Sequence, residues 1–256
     1  MKSTKLAQGQ AQAQAQAHGE PGAFPPGFWR ERGFGDHPTA RQKFLALTID
    51  ELAKTGPHSF NATYVCDLLD MTYPMVNHYF GSRNGLVAEA VSVAYRSYIL
   101  GLREAADRSE PTPLDRLRGW IRAQMKWTQE NPGIAVVLDF PHASLDVSNI
   151  LRNEFKDEME RYFQFNMAVL MQLVMDVRED RIRPIWFNVD DLPYEEFMAN
   201  TDLVYRASSI AFSTLGASMW MAGAHVPSAS LTVINDRLTD TMNWHIDHLI
   251  EFAAAP

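Results

Sequence analysis

From Pro38 almost to the C-terminal end, apolar residues recur every three or four positions, and no sustained alternation of period two competes with that rhythm. The pattern predicts a first helix from Pro38 to Thr55, with Phe44, Leu45, Leu47, Thr48 and Leu52 turned inward. Pro38 suits a first turn and Gly56 a C-terminal stop. A short helix is expected from Asn61 or Ala62 to Leu69, with Asn61 as N-cap, then Asp70-Met71-Thr72, then a second short helix from Tyr73 to Phe80. Ser82 stands where it can cap a longer helix that carries Leu86, Val87, Ala90, Val91, Ala94, Tyr98 and Leu102.

Further on, Thr112-Pro113 with Asp115 starts a helix that runs to about Glu130 and is stopped by Asn131-Pro132-Gly133. A brief apolar segment, Ile134 to Phe140, ends at Pro141. Ser144 to Glu179 reads as one long helix carrying Phe155, Met159, Phe163, Met167, Met171 and Met175. Arg183 to Leu192 is expected to be a loop insertion, and two last helices should cover Pro193 to Ala224 and Ser230 to Ala253. The expected fold class is all-α, and no internal repeat has a solenoid period.

Residues 1–36 break the rhythm. Gln and Ala alternate from Gln10 to Ala17, and Gly and Pro punctuate the chain through Pro26, so this stretch reads as a flexible N-terminal arm. The cluster Phe28, Trp29 and Phe34 is unusual for such a tail and leaves two readings, docking onto the body or a loose segment. Lys2 and Lys5 are candidates for DNA phosphates, against the plainer reading of a solvated tail.

Composition narrows the function classes. At 256 residues and 46% hydrophobic content the chain can build a sizeable core. It has no long uncharged apolar run and no apolar leader at its start, which favours a cytoplasmic protein with no membrane partner. One cysteine, Cys66, cannot form an intramolecular disulfide or a thiolate metal site by itself; a buried, inert thiol is the expectation. The net charge is -8, but unevenly placed. Ten Lys and Arg face eight Asp and Glu up to Arg103, whereas thirteen face twenty-three beyond it. Only the first part can sit on DNA without strong repulsion.

The two short helices carry the most information. Two helices joined by a tight turn form the unit that places a recognition helix in a major groove. Val65, Cys66 and Leu69 point inward from the first, Met71 plugs the turn, and Val76 and Phe80 anchor the second. That leaves Tyr73, Pro74, Met75, Asn77 and His78 facing outward or sideways. Asn pairs with adenine edges, and Tyr or His groups reach phosphate oxygens.

From Asn61 to Leu86 the chain reads N-A-T-Y-V-C-D-L-L-D-M-T-Y-P-M-V-N-H-Y-F-G-S-R-N-G-L. This resembles, without a gap, the TetR (tetracycline repressor) family pattern T-T-x-x-I-A-x-x-A-G-V-S-x-G-x-L-Y-x-Y-F-x-S-K-x-x-L, most specifically over His78 to Arg83. Asp70 stands where the family has a turn Gly, Pro74 where a small residue is usual, and Asn77 where Tyr is common. Pro74 in a first turn costs no hydrogen bond; Asp70 must supply φ > 0 if the turn demands it. The resemblance, over about residues 40–90, implies a three-helix helix-turn-helix DNA-binding domain at 37–85 and a larger helical ligand-binding and dimerisation domain at 86–256. It implies DNA contacts from Asn61, Thr72, Tyr73, Pro74, Met75, Asn77, His78, Tyr79 and Arg83, with Thr72, Tyr73, His78, Tyr79 and Arg83 on the phosphate backbone. For Tyr79 and Phe80 a purely core role stays open.

The second half shows no catalytic, phosphate-loop or dinucleotide motif, so neither an enzyme nor a cofactor is expected. His245 and His248, three apart, form a possible metal face, with plain surface histidines the better reading. Trp120, Trp127, Phe140, Met159, Phe163, Met167, Met171 and Phe212 fall on helices that surround the effector cavity in the family, and as a set they favour a small, mostly apolar effector. Ala207, Ser208, Ala211, Thr214, Gly216, Ala217 and Trp220 mark the helix expected at a homodimer interface. The implied function is a ligand-responsive regulator, a repressor in the commoner case, that binds palindromic double-stranded operator DNA. The alternative is a helical small-molecule-binding protein with a degenerate DNA-binding half.

Overall fold

The computed structural model describes residues 24–25, 27–109, 111–139, 144–185, 198–223 and 238–255. The regular elements among them are eleven helices and no strand: α1 (Phe28–Glu31), α2 (Ala40–Ser59), α3 (Ala62–Leu68), α4 (Pro74–Phe80), α5 (Arg83–Asp107), α6 (Pro113–Glu130), α7 (Pro132–Asp139), α8 (Leu145–Glu154), α9 (Lys156–Glu179), α10 (Thr201–Gly223) and α11 (Leu238–Ala254). The chain is all-α over these residues. None of these helices is long and apolar enough to cross a membrane.

Local chemistry sets the boundaries. Thr39 and Gln42 form a reciprocal capping box, so α2 starts at Ala40 and Pro38 lies outside it, not in its first turn as expected. Gly56, at φ 69, breaks the regular helix as predicted, and Pro57 opens one further turn. Asn61 accepts from the Thr63 and Tyr64 N–H groups, Ser82 from Gly85 and Thr112 from Asp115, which fixes the starts of α3, α5 and α6.

Three expectations change. The apolar segment after Asn131 is the helix α7, started by Pro132 at a position where a missing N–H costs nothing. The long helix from Ser144 is two helices, because Phe155 (φ -116, ψ 10) leaves the helical region between α8 and α9. The arm is not loose throughout. Phe24, Phe28 and Trp29 interlock with ring centroids 4.5–4.8 Å apart, Arg32 lies over the Phe28 ring, and its guanidinium pairs with Asp50 of α2 at 2.7 Å. Trp29 and Arg32 thus dock on α2, with Phe28 in the core beside it; Lys2, Lys5 and Gln10–Ala17 lie outside the described residues. So do the expected helix starts at Pro193 and Ser230 and most of the Arg183–Leu192 loop.

The described residues form two apolar cores. The first unites Phe44, Leu52, Val65, Cys66, Val76, Leu86 and Val91 with Ile134 and Val137 of α7 and Val147 and Leu151 of α8. The second is built from α5, α6, α9, α10 and α11 around Trp120, Phe165, Leu170, Ile210 and Ile246. Ala94 belongs to one core and Ile99 to the other, so the border falls midway along α5. The N-terminal helices therefore share a core with two helices of the C-terminal part.

Candidate functional site

Two places combine exposed chemistry with a built framework. The first is the α3–turn–α4 unit. Asp70 adopts φ 54, its N–H donates to the Asp67 carbonyl at 3.2 Å, and the Met71 N–H donates to the Cys66 carbonyl at 2.9 Å. This pair of bonds closes a helix end through one left-handed residue, usually Gly. Asp70 fills the role that φ > 0 demands. Val65, Cys66, Leu69 and Val76 are buried beneath the turn, and burial pushes the Cys66 thiol up, away from reactivity.

On the outer side Thr72, Tyr73, Pro74, Asn77 and His78 are all exposed, and Pro74 occupies the first position of α4. The remaining members of the predicted set behave differently. Met75 and Tyr79 are half-buried and pack on the first core, Tyr79 against Phe44 at 6.3 Å between centroids. Asn61 is exposed, but its carbonyl oxygen is taken up as the cap of α3. Arg83 departs furthest. Its Nη2 donates to the main-chain carbonyls of Pro57 at 2.6 Å and Phe60 at 2.9 Å, and its Nη1 to Asn84 at 3.2 Å. The guanidinium ties the α2–α3 corner to the start of α5 instead of reaching outward as a phosphate arm, because those carbonyls, freed where α2 breaks and ends, need donors.

The second place is a cavity of about 340 Å³, at the lower end of the size range of small-ligand sites (roughly 300–1,000 Å³). Tyr95 of α5, Val137 and Leu138 of α7 and Leu151 of α8 line it, with Met159 and Phe163 of α9; Ser148, Arg152, Lys156 and Glu160 complete its walls. The break at Phe155 makes it possible, since α8 and α9 diverge there and each contributes a wall. Beside it, burial with no ion pair among the described residues raises the Asp139 carboxyl to about 7. Burial, and after it that carboxyl, raise the Tyr95 hydroxyl.

Of the eight residues expected around an effector, Met159 and Phe163 line this cavity. Trp120, Met167 and Met171 are solid core instead: Trp120 of α6 and the two methionines of α9 are buried in the core that α5, α6, α9, α10 and α11 share. Trp127 stacks on Tyr98 at 4.2 Å, Phe212 is 69% exposed, and Phe140 lies outside the described residues. Tyr95, Leu138, Arg152 and Lys156 were missed, since nothing in the spacing shows that a helix breaks at Phe155.

The small-residue stripe of α10 is likewise redistributed. Ala207 and Thr214 are fully buried, and Gln124 of α6 approaches the Ala211 carbonyl at 3.5 Å, so much of the stripe lets α10 pack on its own subunit. Ser208 and Ala217 are half-buried, Gly216 is exposed, and the side chain of Trp220 lies outside the described residues. The outward face of α10 and α11 carries Tyr205, Phe212, Trp244 and Phe252, 67%, 69%, 61% and 41% exposed. The Trp244 ring lies against His248, tilted by 34° with centroids 4.0 Å apart. Among the described residues no group of three or more His, Cys, Asp or Glu is placed to hold a metal.

No family model matches the sequence, and no curated protein matches it.

Proposed function

We propose that this chain is a ligand-responsive transcription regulator of the TetR type that binds operator DNA as a homodimer through α3 and α4. The observation that carries the reading is a seven-residue helix held out from the body by a left-handed turn, with Tyr73, Pro74, Asn77 and His78 on its free side and Val76 in the core. Such a helix is the right size and chemistry for a major groove.

The cavity supplies a means of control. Val137 and Leu138 line it from α7, and the start of α7 abuts the end of α2, where a Cβ on Gly133 would fall 2.0 Å from the Leu52 carbonyl oxygen. A ligand that displaces α7 therefore shifts α2 and, through the shared core, α3 and α4. In a dimer joined by the exposed aromatic face of α10 and α11, that shift changes the distance between two recognition helices, which must be roughly 34–36 Å for adjacent half-sites. Exposed apolar patches of this kind mark association surfaces.

A second reading is favoured by one observation: no Lys or Arg occurs from Thr55 to Ser82, and Arg83 is committed to main-chain carbonyls. Phosphate contacts draw on cationic side chains. A helical small-molecule-binding protein with a degenerate DNA-binding half has the same cavity without that requirement.

The deciding experiment selects bound fragments from random and genomic DNA with the full chain. Enrichment of a palindrome whose base preference changes in Asn77→Ala supports the regulator; absence of enrichment at low and moderate salt, with ligand binding retained, supports the alternative.

A further inference from the structure

We propose that the cavity between α7, α8 and α9 takes an amphipathic monoanion, an apolar chain ending in a carboxylate, with the carboxylate held between Arg152 and Lys156. The inference rests on reading this cavity as the effector site and names the effector's class.

The apolar part of the site is Val137, Leu138, Leu151, Met159 and Phe163. Its volume of about 340 Å³ suits a single medium-length chain. The charged part lies at the break in the wall. Arg152 sits one turn before Phe155 and Lys156 directly after it, and both line the cavity, so two cations from separate helices flank the break. Among the described residues Arg152 donates to neutral acceptors alone, the Ser148 carbonyl at 3.3 Å and the Asn149 side chain at 3.1 Å. Lys156 forms no ion pair among the described residues, although Glu160 stands one turn away; the same spacing does pair Lys126 with Glu130 at 3.8 Å.

Two cations and one carboxylate leave the edge with a single positive charge in excess. Of the other acids nearby, Glu154 and Asp157 do not line the cavity, Glu158 faces Arg96 at 3.8 Å, and Asp139, raised to about 7 by burial, carries only part of a charge near neutrality. A carboxylate that bonds to both cations completes the edge, because charge-assisted hydrogen bonds are the strong ones. A neutral chain leaves them unused, and a cation is repelled.

The test is calorimetric titration of the full-length protein with decanoate, decan-1-ol and decyltrimethylammonium, each below its aggregation threshold. Decanoate should bind at least tenfold more tightly than decan-1-ol. Arg152→Gln and Lys156→Gln should each weaken decanoate by about tenfold and leave decan-1-ol unchanged. Met159→Trp, which fills the cavity, should abolish both, with an unchanged circular dichroism spectrum showing that each variant folds. Equal binding of acid and alcohol, insensitive to the two glutamine variants but blocked by Met159→Trp, overturns the anionic class while the cavity stands as the ligand site. Preference for the ammonium probe, lost in Glu160→Gln, overturns it in favour of a cation. Binding that survives Met159→Trp, or no binding of any probe, overturns the reading of the cavity itself.

Discussion

Gly133 rests on the backbone of Gly56: a Cβ at Gly133 would lie 2.6 Å from the Gly56 nitrogen and 2.0 Å from the Leu52 carbonyl oxygen. Helix α7 therefore begins where α2 ends, with no side chain between them. Gly133→Ala should force the two apart and lower stability by about 1–3 kcal/mol, which corresponds to a fall in Tm of roughly 2–4 °C per kcal/mol for a chain of this size. Gly101→Ala is the control, since its Cβ meets nothing within 4 Å; there the better helix former should stabilise by about 0.5–1 kcal/mol. Equal melting of the two variants would show that the helices are not in backbone contact.

Asp70 closes α3 from the left-handed region, at φ 54, where a Cβ is a burden that glycine lacks. Asp70→Gly should stabilise the protein by up to about 1 kcal/mol. A lower urea midpoint with an unchanged m-value would instead assign the Asp70 carboxylate a stabilising contact.

Arg83 fills two carbonyls that no other described group satisfies through a side chain. Arg83→Ala should destabilise by about 1–3 kcal/mol, the cost of leaving such acceptors unpaired. Arg83→Lys should recover part of that loss, one ammonium being a poorer match for two carbonyls than a forked guanidinium. A phosphate arm predicts the reverse: melting unchanged, and DNA affinity lost with a shallower salt dependence.

Burial raises the Asp139 carboxyl from its ordinary 3.8 to about 7. Between these values the folded protein holds a proton that the unfolded chain has released, so stability falls as pH rises from about 4 to 7 and then levels. Asp139→Asn should remove this part of the slope and raise Tm at pH 8 by a few degrees, with little change at pH 4. Melting curves across that range decide it; an undiminished slope in the variant would place the carboxyl in an ionised, solvated setting.

The exposed aromatic face of α10 and α11 gives the association prediction. Phe212→Asp together with Trp244→Asp should shift sedimentation toward monomer while leaving Tm of the monomer within about 0.5 kcal/mol equivalent, as surface changes do. Gly216→Leu should act in the same direction, since Gly216 faces open space within the subunit. Sedimentation unchanged in both would move the interface off this face.

Much of the framework was readable from the chain. Helical spacing from Phe44 onward, and caps at Asn61, Ser82 and Thr112, are local devices: each is satisfied within four residues of itself, so it survives any tertiary context. The positive φ at Asp70 was raised only by the resemblance, which has a turn glycine at that position; the turn it closes spans Cys66 to Met71. Of the outward set read from the burial of Val76 on a 3.6-residue period, Tyr73, Pro74, Asn77 and His78 are exposed, whereas Met75 is half-buried against the core.

Residues whose role depends on a distant neighbour were not legible. Arg83 reads as a free cation until the carbonyls of Pro57 and Phe60, more than twenty positions earlier, are brought beside it. Met167 and Met171 share a stripe with Met159 and Phe163, yet two are core and two line the cavity, because α9 meets different partners along its length.

The sequence by itself determined the all-α character of the described residues, the bounds of α3, α4 and α6 and most of the exposed side of α4, since periodicity and capping are properties of neighbours in the chain. Only the tertiary structure decided that the two cores meet midway along α5, that a break at Phe155 opens a cavity, and that small residues on α10 serve the subunit's own packing. These depend on which surfaces face each other across long separations, and apolar burial, being non-directional, does not write that choice into any local run of residues.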